Sequence, residues 1–325
     1  MKNVLITGGL GFAGSILAEF LLKKGFKVLI IDKILFNNNQ LKNFKKFKNF
    51  KFYKIDILNE SKVKSIFEKN SFDIVIHLAS IVGDPACKVN PKLTYQTNLI
   101  ASKKIFNLCN KYKVDKFLFF STCSNYGLSK NDILLKETDT LKPLSLYAET
   151  KVKFEKFLIN NKSNVKKIIL RISTLYGISP RMRFDLTINE FAKKIFKKDK
   201  FDIYHADTWR PYLNLSDLGP IIYKILNSDK VNKNNNIFNV GYSSQNFTKR
   251  QIAENIEKVV KQKRVFSYVD NDHFDKRNYK VNFSKIKKIG IKKNMSIKKG
   301  IEQIIKYLKK NKSKTFNGKE FYNHK

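Results

Sequence analysis

Acidic residues are scarce in this chain: 27 of 325 residues are Asp or Glu against 65 Lys or Arg, a formal net charge of +38. Such a balance suggests nucleic acid, but arginine is sparse and the lysines are scattered over almost every helix and loop pattern. Nucleic-acid readers instead gather arginine and aromatic residues on one face. The charge is therefore read as a solvated surface, with no specific nucleic-acid partner, whose field favours the approach of a small acidic substrate. Cysteine is equally scarce. Cys87, Cys109 and Cys123 are odd in number and form no Cys-x-x-Cys pair, which argues against a disulfide framework or a zinc site. No metal is expected, and a reducing cytoplasm is. No uninterrupted apolar stretch reaches about 18 residues, so no membrane span is expected. The chain opens on a strand pattern at residue 3, not on a charged lead and a cleavable apolar run, so no signal peptide is expected either. No internal repeat is found. The apolar fraction, 42%, is enough to fill a core.

Short apolar runs alternate with helical patterns over the first 170 residues. Strands are expected at 3–7, 27–32, 51–55, 73–78, 116–120 and 166–171, with helices at 12–24, 59–70, 91–112 and 145–161. This alternation gives an α/β fold, a Rossmann-type doubly wound parallel sheet. Beyond about residue 171 the strands shorten, and helical patterns return near 184–198, 216–228, 248–261 and 296–310. The expected organisation is a cofactor domain over 1–171, a smaller, mainly substrate-binding lobe over 172–310 with the chain crossing between the two, and a basic, frayed tail over 311–325.

The run from Val4 to Gly14 places a strand, a glycine-rich turn and a helix start in succession. Gly8 permits the tight turn, Gly11 removes a side chain where a phosphate approaches, and Gly14 lets helix and strand pack closely. The helix N-terminus, with Phe12 and Ala13 in its first turn, offers free N–H groups and a positive dipole end to a pyrophosphate. Asp32 closes the second strand, where a carboxylate can hold the ribose hydroxyls of NAD and repel the extra phosphate of NADP. Ile74 to Ser80 reads as a buried strand running through Leu78 and Ala79 into a loop along the cofactor. His77 within it is read as a hydrogen-bonded core residue.

The Thr-Gly-Gly-x-Gly-x-x-Gly spacing resembles the extended short-chain dehydrogenase/reductase family. That resemblance demands a Tyr-x-x-x-Lys pair near the middle of the chain, and Tyr147 and Lys151 supply it. Tyr112/Lys116 and Tyr126/Lys130 share the spacing, but only Tyr147 and Lys151 begin a continuous helix, where four residues apart means one face. A free phenol titrates near pH 10. A nearby ammonium and an oxidised nicotinamide favour its ionised form, so Tyr147 becomes a base for a sugar hydroxyl. Thr122, in a hydroxyl-rich turn at the carboxyl edge of the sheet, matches the family's catalytic Ser/Thr.

The resemblance implies further roles. Asp56 and Ile57 contact the adenine, although Asp56 equally suits a helix cap. Asn98 supports the cofactor site, Lys151 binds the nicotinamide ribose, and Thr174 belongs to the strand-to-loop passage over the nicotinamide. Cys123 and Ser124 stand where 4,6-dehydratases carry an acid, which argues for oxidation with or without re-reduction, with Ser124 left to contact substrate. Arg210 lies in a segment resembling the family's Arg-Asp-Tyr-Ile-His-Val-x-Asp, with Asn214 in place of the His, and Arg277 falls where a second phosphate-binding arginine is expected. Arg181 and Arg183, with Gly83-Asp84-Pro85 and Phe274 to Arg277, resemble a subgroup that includes GDP-heptose 4-dehydrogenases, and are expected to read the diphosphate or the base. The implied activity is an NAD-dependent epimerase of a nucleoside-diphosphate sugar, with a 4-dehydrogenase as the alternative, and the implied assembly is a homodimer through the helices at 91–112 and 145–161.

Overall fold

The computed structural model describes residues 1–36, 40–130, 133–231, 236–270, 275 and 277–324. Seven parallel strands form the main sheet: β1 (Asn3–Thr7), β2 (Lys27–Asp32), β3 (Phe50–Lys54), β4 (Ile74–His77), β5 (Lys116–Thr122), β6 (Lys166–Ile172) and β7 (Asn236–Val240). Their order across the sheet is β3-β2-β1-β4-β5-β6-β7. Val4, Leu5 and Ile6 have no exposed surface. A central parallel strand covered by helices on both faces requires such an unbroken apolar run.

Six strands fall within a residue or two of their expected places. The seventh is the short strand read at 237–240, but it sits in the stretch assigned mainly to the second lobe and yet pairs with β6 from Asn236↔Ile168 to Val240↔Ile172. Helix α1 (Phe12–Lys23) packs on the helix Leu215–Leu226, whose Leu215, Leu218, Ile221 and Ile222 join the core of the main sheet. The chain thus returns to the first lobe over roughly 215–240.

The expected helix at 91–112 begins as an α-turn, widens to a π-helix at Gln96–Ala101 and continues as Ser102–Lys111. The wide turn carries Asn98, whose side chain accepts from Ile81 N (2.8 Å) and donates to Ile81 O (2.9 Å). Helix α2 (Leu146–Asn160) begins at Ser145, which accepts from Ala148 N. That cap places Tyr147 in the first turn, facing the open end of the sheet.

The second lobe is a helical layer of Thr187–Lys197, Lys249–Val260 and Ile297–Lys310, packed around Tyr176, Phe184, Ile252 and Ile301. The expectation of a frayed tail does not hold. Phe316 is 1% exposed and Tyr322 8%, Phe321 O accepts from Phe184 N (3.0 Å), and the Lys193 ammonium donates to the Tyr322 hydroxyl at 2.6 Å. Aromatic residues at 316, 321 and 322 fill the groove beside Phe184, and their burial outweighs the repulsion among the neighbouring lysines. Among the described residues no helix is long and apolar enough to cross a membrane.

Candidate active site

One cleft of about 500 Å³ runs along the carboxyl ends of the strands and is lined by both lobes. That volume suits small-molecule binding. Gly8 sits at φ +70°, and a Cβ there would stand 2.7 Å from the Ala79 backbone. A Cβ on Gly14 would stand 2.5 Å from Gly8 O. Gly11 caps α1 without a side-chain acceptor, so the first-turn N–H groups of Phe12, Ala13 and Gly14 are left for a ligand at the cleft wall. This is the cradle a dinucleotide diphosphate needs.

Asp32 accepts from Leu10 N (3.1 Å) on Oδ2 and from Ile34 N (2.8 Å) on Oδ1, and each oxygen keeps a further lone pair. Burial raises its pKa against the pull of these two N–H groups. Lys33, which lines the cleft next to Asp32, is paired with Asp56 at 3.2 Å. Asn59, not Asp56, caps the helix Glu60–Lys69, while Asp56, Ile57, Leu78 and Ala79 line the cleft. Asn98 stands behind the lining, buried, and holds the loop after β4 through Ile81. His77 lies between Thr7 Oγ1 and Ser102 Oγ, both at 2.8 Å, and burial pushes its pKa down to about 3. It is a core residue, as read from the sequence.

Thr122, Tyr147 and Lys151 all line the cleft. Thr122 ends β5, and its Oγ1 accepts from Ser124 N at 3.1 Å. Lys151, 3% exposed, donates to Phe120 O at 3.0 Å and lies 5.6 Å from the Tyr147 ring centroid. The expected lowering of the phenol pKa needs both the Lys151 ammonium and the oxidised nicotinamide, and without the cofactor the phenol is raised instead. Burial pushes Tyr147 up, with Cys87 and Asp84 adding to the rise and Arg183 and Arg277 opposing it. Burial also pulls Lys151 down to about 7, so its charge is itself weakened. In a dry site each group's charged form is penalised by burial, and the charge of a bound cofactor helps to offset that for the phenol.

A stability signature follows. The folded pKa of Lys151, about 7, lies below that of the unfolded chain, about 10.4. The buried ammonium therefore costs stability in full below pH 7, and the cost fades as pH rises from 7 to about 10.4. Lys151→Met should melt several degrees higher than the wild type at pH 6 in the absence of nucleotide, with the gap closing by pH 10. A gap that is the same at both pH values would show that Lys151 keeps its full charge in the fold.

At the other end of the cleft, Asp275 organises two arginines. Arg277 donates to both its oxygens at 2.7 Å, and Arg210 Nη2 to one at 3.1 Å. Burial raises the Asp275 pKa, but these guanidinium groups outweigh it and hold the carboxyl below its usual range. Arg277 also reaches Asp84 of the first lobe at 2.7 Å, closing the cleft at this point. Arg210 lies over the Tyr279 ring, and the Tyr279 hydroxyl meets Ser124 Oγ at 3.3 Å. Thr174 and Arg183 also line the cleft, the latter paired through both N–H groups with Asp185. Asn214, where the family has His, caps the helix Leu215–Leu226 through Ser216 N and stays outside the lining. The turn-rich loop around Gly83-Asp84-Pro85, read from the sequence as pocket-lining, does line the cleft, whereas sequence reasoning missed Lys249, Asp275, Tyr279, Asn323 and His324. Asp275 stood inside a quoted motif, but nothing local marks the last two.

The fold and the cleft define a dinucleotide-binding protein of the extended short-chain dehydrogenase/reductase type. The sequence pattern of the NAD dependent epimerase/dehydratase family matches residues 4–241, and the chain belongs to that family, whose cofactor is NAD. It is 29% identical to a dTDP-D-glucose 4,6-dehydratase of Dictyostelium discoideum, covering 96% of this chain and 83% of that one. It is also 29% identical to a UDP-glucuronate 4-epimerase of Thermodesulfobacterium geofontis, over 96% and 97%. The crystal structure of a UDP-glucose 4-epimerase from Thermotoga maritima, at 24% identity, superposes with a TM-score of 0.85 over 95% of this chain and 99% of that one.

Proposed function

We propose that the protein is an NAD-dependent 4-epimerase of nucleoside-diphosphate sugars. The observation that carries this reading is the single cleft that gathers Thr122, Tyr147 and Lys151 at the glycine-turn lobe and Arg210 and Arg277 from the second lobe. NAD, when bound, supplies a hydride acceptor that also carries positive charge. The Gly8–Gly14 turn, the α1 N-terminus and Asp32 hold it. Arg210 and Arg277, fixed by Asp275, grip the substrate diphosphate with planar donor forks. Thr122 hydrogen-bonds the reacting hydroxyl, and Tyr147 takes its proton and gives it back on re-reduction. Lys151 holds the nicotinamide ribose and favours the phenolate once the site is loaded.

The residues after Thr122 speak against dehydration. The Cys123 thiol is buried against Arg171 O and its pKa is pushed far up by burial, while the Ser124 hydroxyl is engaged with Tyr279. Neither is a ready proton donor for expelling a C6 hydroxyl. A second reading, a 4-dehydrogenase that releases the keto sugar, uses the same residues and is favoured by the Gly83-Asp84-Pro85 loop and its contact with Arg277. Purified protein incubated with a panel of nucleotide sugars and no added cofactor separates the two. Formation of an isomer with no net absorbance from reduced nicotinamide is expected. Stoichiometric reduction that then stalls would replace the epimerase by the dehydrogenase.

A further inference from the structure

We infer that Arg181 clamps the diphosphate of the bound dinucleotide from the second lobe, and that Asn323, near the C-terminal end of the chain, is the positioning residue that holds it there. The inference rests on the reading of the glycine-turn cleft as the dinucleotide site. Arg181 belongs to a segment that stands on the first turn of α1. Ser179 Oγ donates to Phe12 O at 2.9 Å and meets Ser15 Oγ at 3.0 Å, and Arg181 N in turn donates to Ser179 Oγ at 3.3 Å. The guanidinium lies 3.8 Å from the ring centroid of Phe36, in the loop that follows Asp32. Arg181 is thus anchored at the α1 N-terminus, whereas the Arg210–Asp275–Arg277 group occupies the Tyr279 end of the cleft.

Arg181 is 4% exposed and lines the cleft, yet among the described residues no carboxylate pairs with it. The nearby carboxylate, Asp185, gives both oxygens to Arg183, at 2.9 and 2.8 Å. Arg181 Nε is buried with no partner among the described residues. Among the described residues its side chain bonds from Nη2 to Asn323 Oδ1 at 2.7 Å. Burial and the adjoining Arg183 accordingly pull its pKa down to about 9. A buried guanidinium without a counter-charge is costly, and a diphosphate offers both the charge and the paired acceptors that its fork fits.

Asn323 is built to hold this arrangement. Its N–H donates to Asp185 Oδ2 at 3.2 Å and its Nδ2 to Val82 O at 2.8 Å, so one residue ties the arginine segment to the loop after β4 across the cleft. Phe316 and Tyr322 anchor the segment that delivers it.

Two diphosphates share the cleft, that of the dinucleotide and that of the sugar nucleotide, and titration calorimetry on nucleotide-free protein tells them apart. ADP-ribose probes the first, and UDP and GDP the second. Arg181→Ala should weaken ADP-ribose binding by at least about tenfold. Truncation after Tyr322, which keeps both aromatic anchors, and Asn323→Ala should each weaken it about threefold to tenfold. UDP and GDP affinities and the melting temperature should change little in the truncated protein, an outcome that a merely structural role for the tail would not give. Unchanged ADP-ribose affinity in all three variants, or a loss confined to UDP and GDP, would overturn the clamp. A wild type that binds no ADP-ribose at all would overturn the dinucleotide site itself. None of these measurements depends on turnover, so failure of the epimerase reading leaves them interpretable.

Discussion

Tyr147→Phe should lower kcat by about a thousandfold or more while the protein still binds NAD and its sugar nucleotide. A positioned proton-transfer group contributes roughly 10²–10⁴ to a rate. Here the phenol has no evident substitute, because His77 is sealed in the core between Thr7 and Ser102 and the thiols of Cys87 and Cys123 are pushed up by burial. Only the hydroxyl is removed, so the ring should keep its place in the first turn of α2. Burial raises the Tyr147 pKa in the free protein, and the charge that offsets this arrives with the oxidised cofactor. The activity of the wild type should therefore rise with pH through a limb set by the loaded enzyme, while NAD binding by the variant should be nearly unchanged. Turnover within tenfold of the wild type would remove Tyr147 from the proposed mechanism.

Glu155→Ala should destabilise the fold by roughly 3–5 kcal/mol, the cost of leaving a buried partner charge uncompensated. Glu155 is 1% exposed and Arg171 4%. Arg171 donates to the Glu155 carboxylate from Nη2 at 2.8 Å and from Nε at 3.1 Å. Ser121 Oγ and Asn125 Nδ2 donate to the same carboxylate, and Arg171 Nη1 reaches the Tyr126 hydroxyl at 3.0 Å, which in turn donates to Asn239 Oδ1 at 2.7 Å. This network joins β5, α2, β6 and β7 directly beneath the turn that presents Thr122. Urea unfolding should show the lower midpoint at an unchanged slope, and activity should fall with the loss of Thr122 alignment. A shift below about 1 kcal/mol would mean that the network contributes little and that packing alone aligns the turn.

The parts of the fold with strong local signals were legible. The unbroken run Val4 to Ile6, the glycines that follow and Asp32 belong to one strand–turn–helix–strand unit, with Asp32 at the end of its second strand. Tyr147 and Lys151 share a helix turn, so their common face follows from helix geometry. Strand β7 was harder to place, because its five residues look like any short strand. Only the pairing from Asn236↔Ile168 onward assigns it to the main sheet. The widened helix at Gln96–Ala101 was likewise hidden, since its hydrogen bonds answer to Ile81 and not to periodicity.

The sequence by itself determined the class of fold, the glycine turn at the start of α1 and the shared face of Tyr147 and Lys151, because each is encoded by residues a few positions apart whose backbone and spacing leave little choice. Tertiary structure alone decided the charge balance and the far wall of the cleft. Lys151 is pulled down to about 7 by burial, which no spacing reveals. Asn323 meets Val82 across 241 positions of chain, and Arg277 meets Asp84 across the two lobes. Such contacts depend on how packed elements stack, and desolvation depends on everything around a group at once, so neither can be read along the chain.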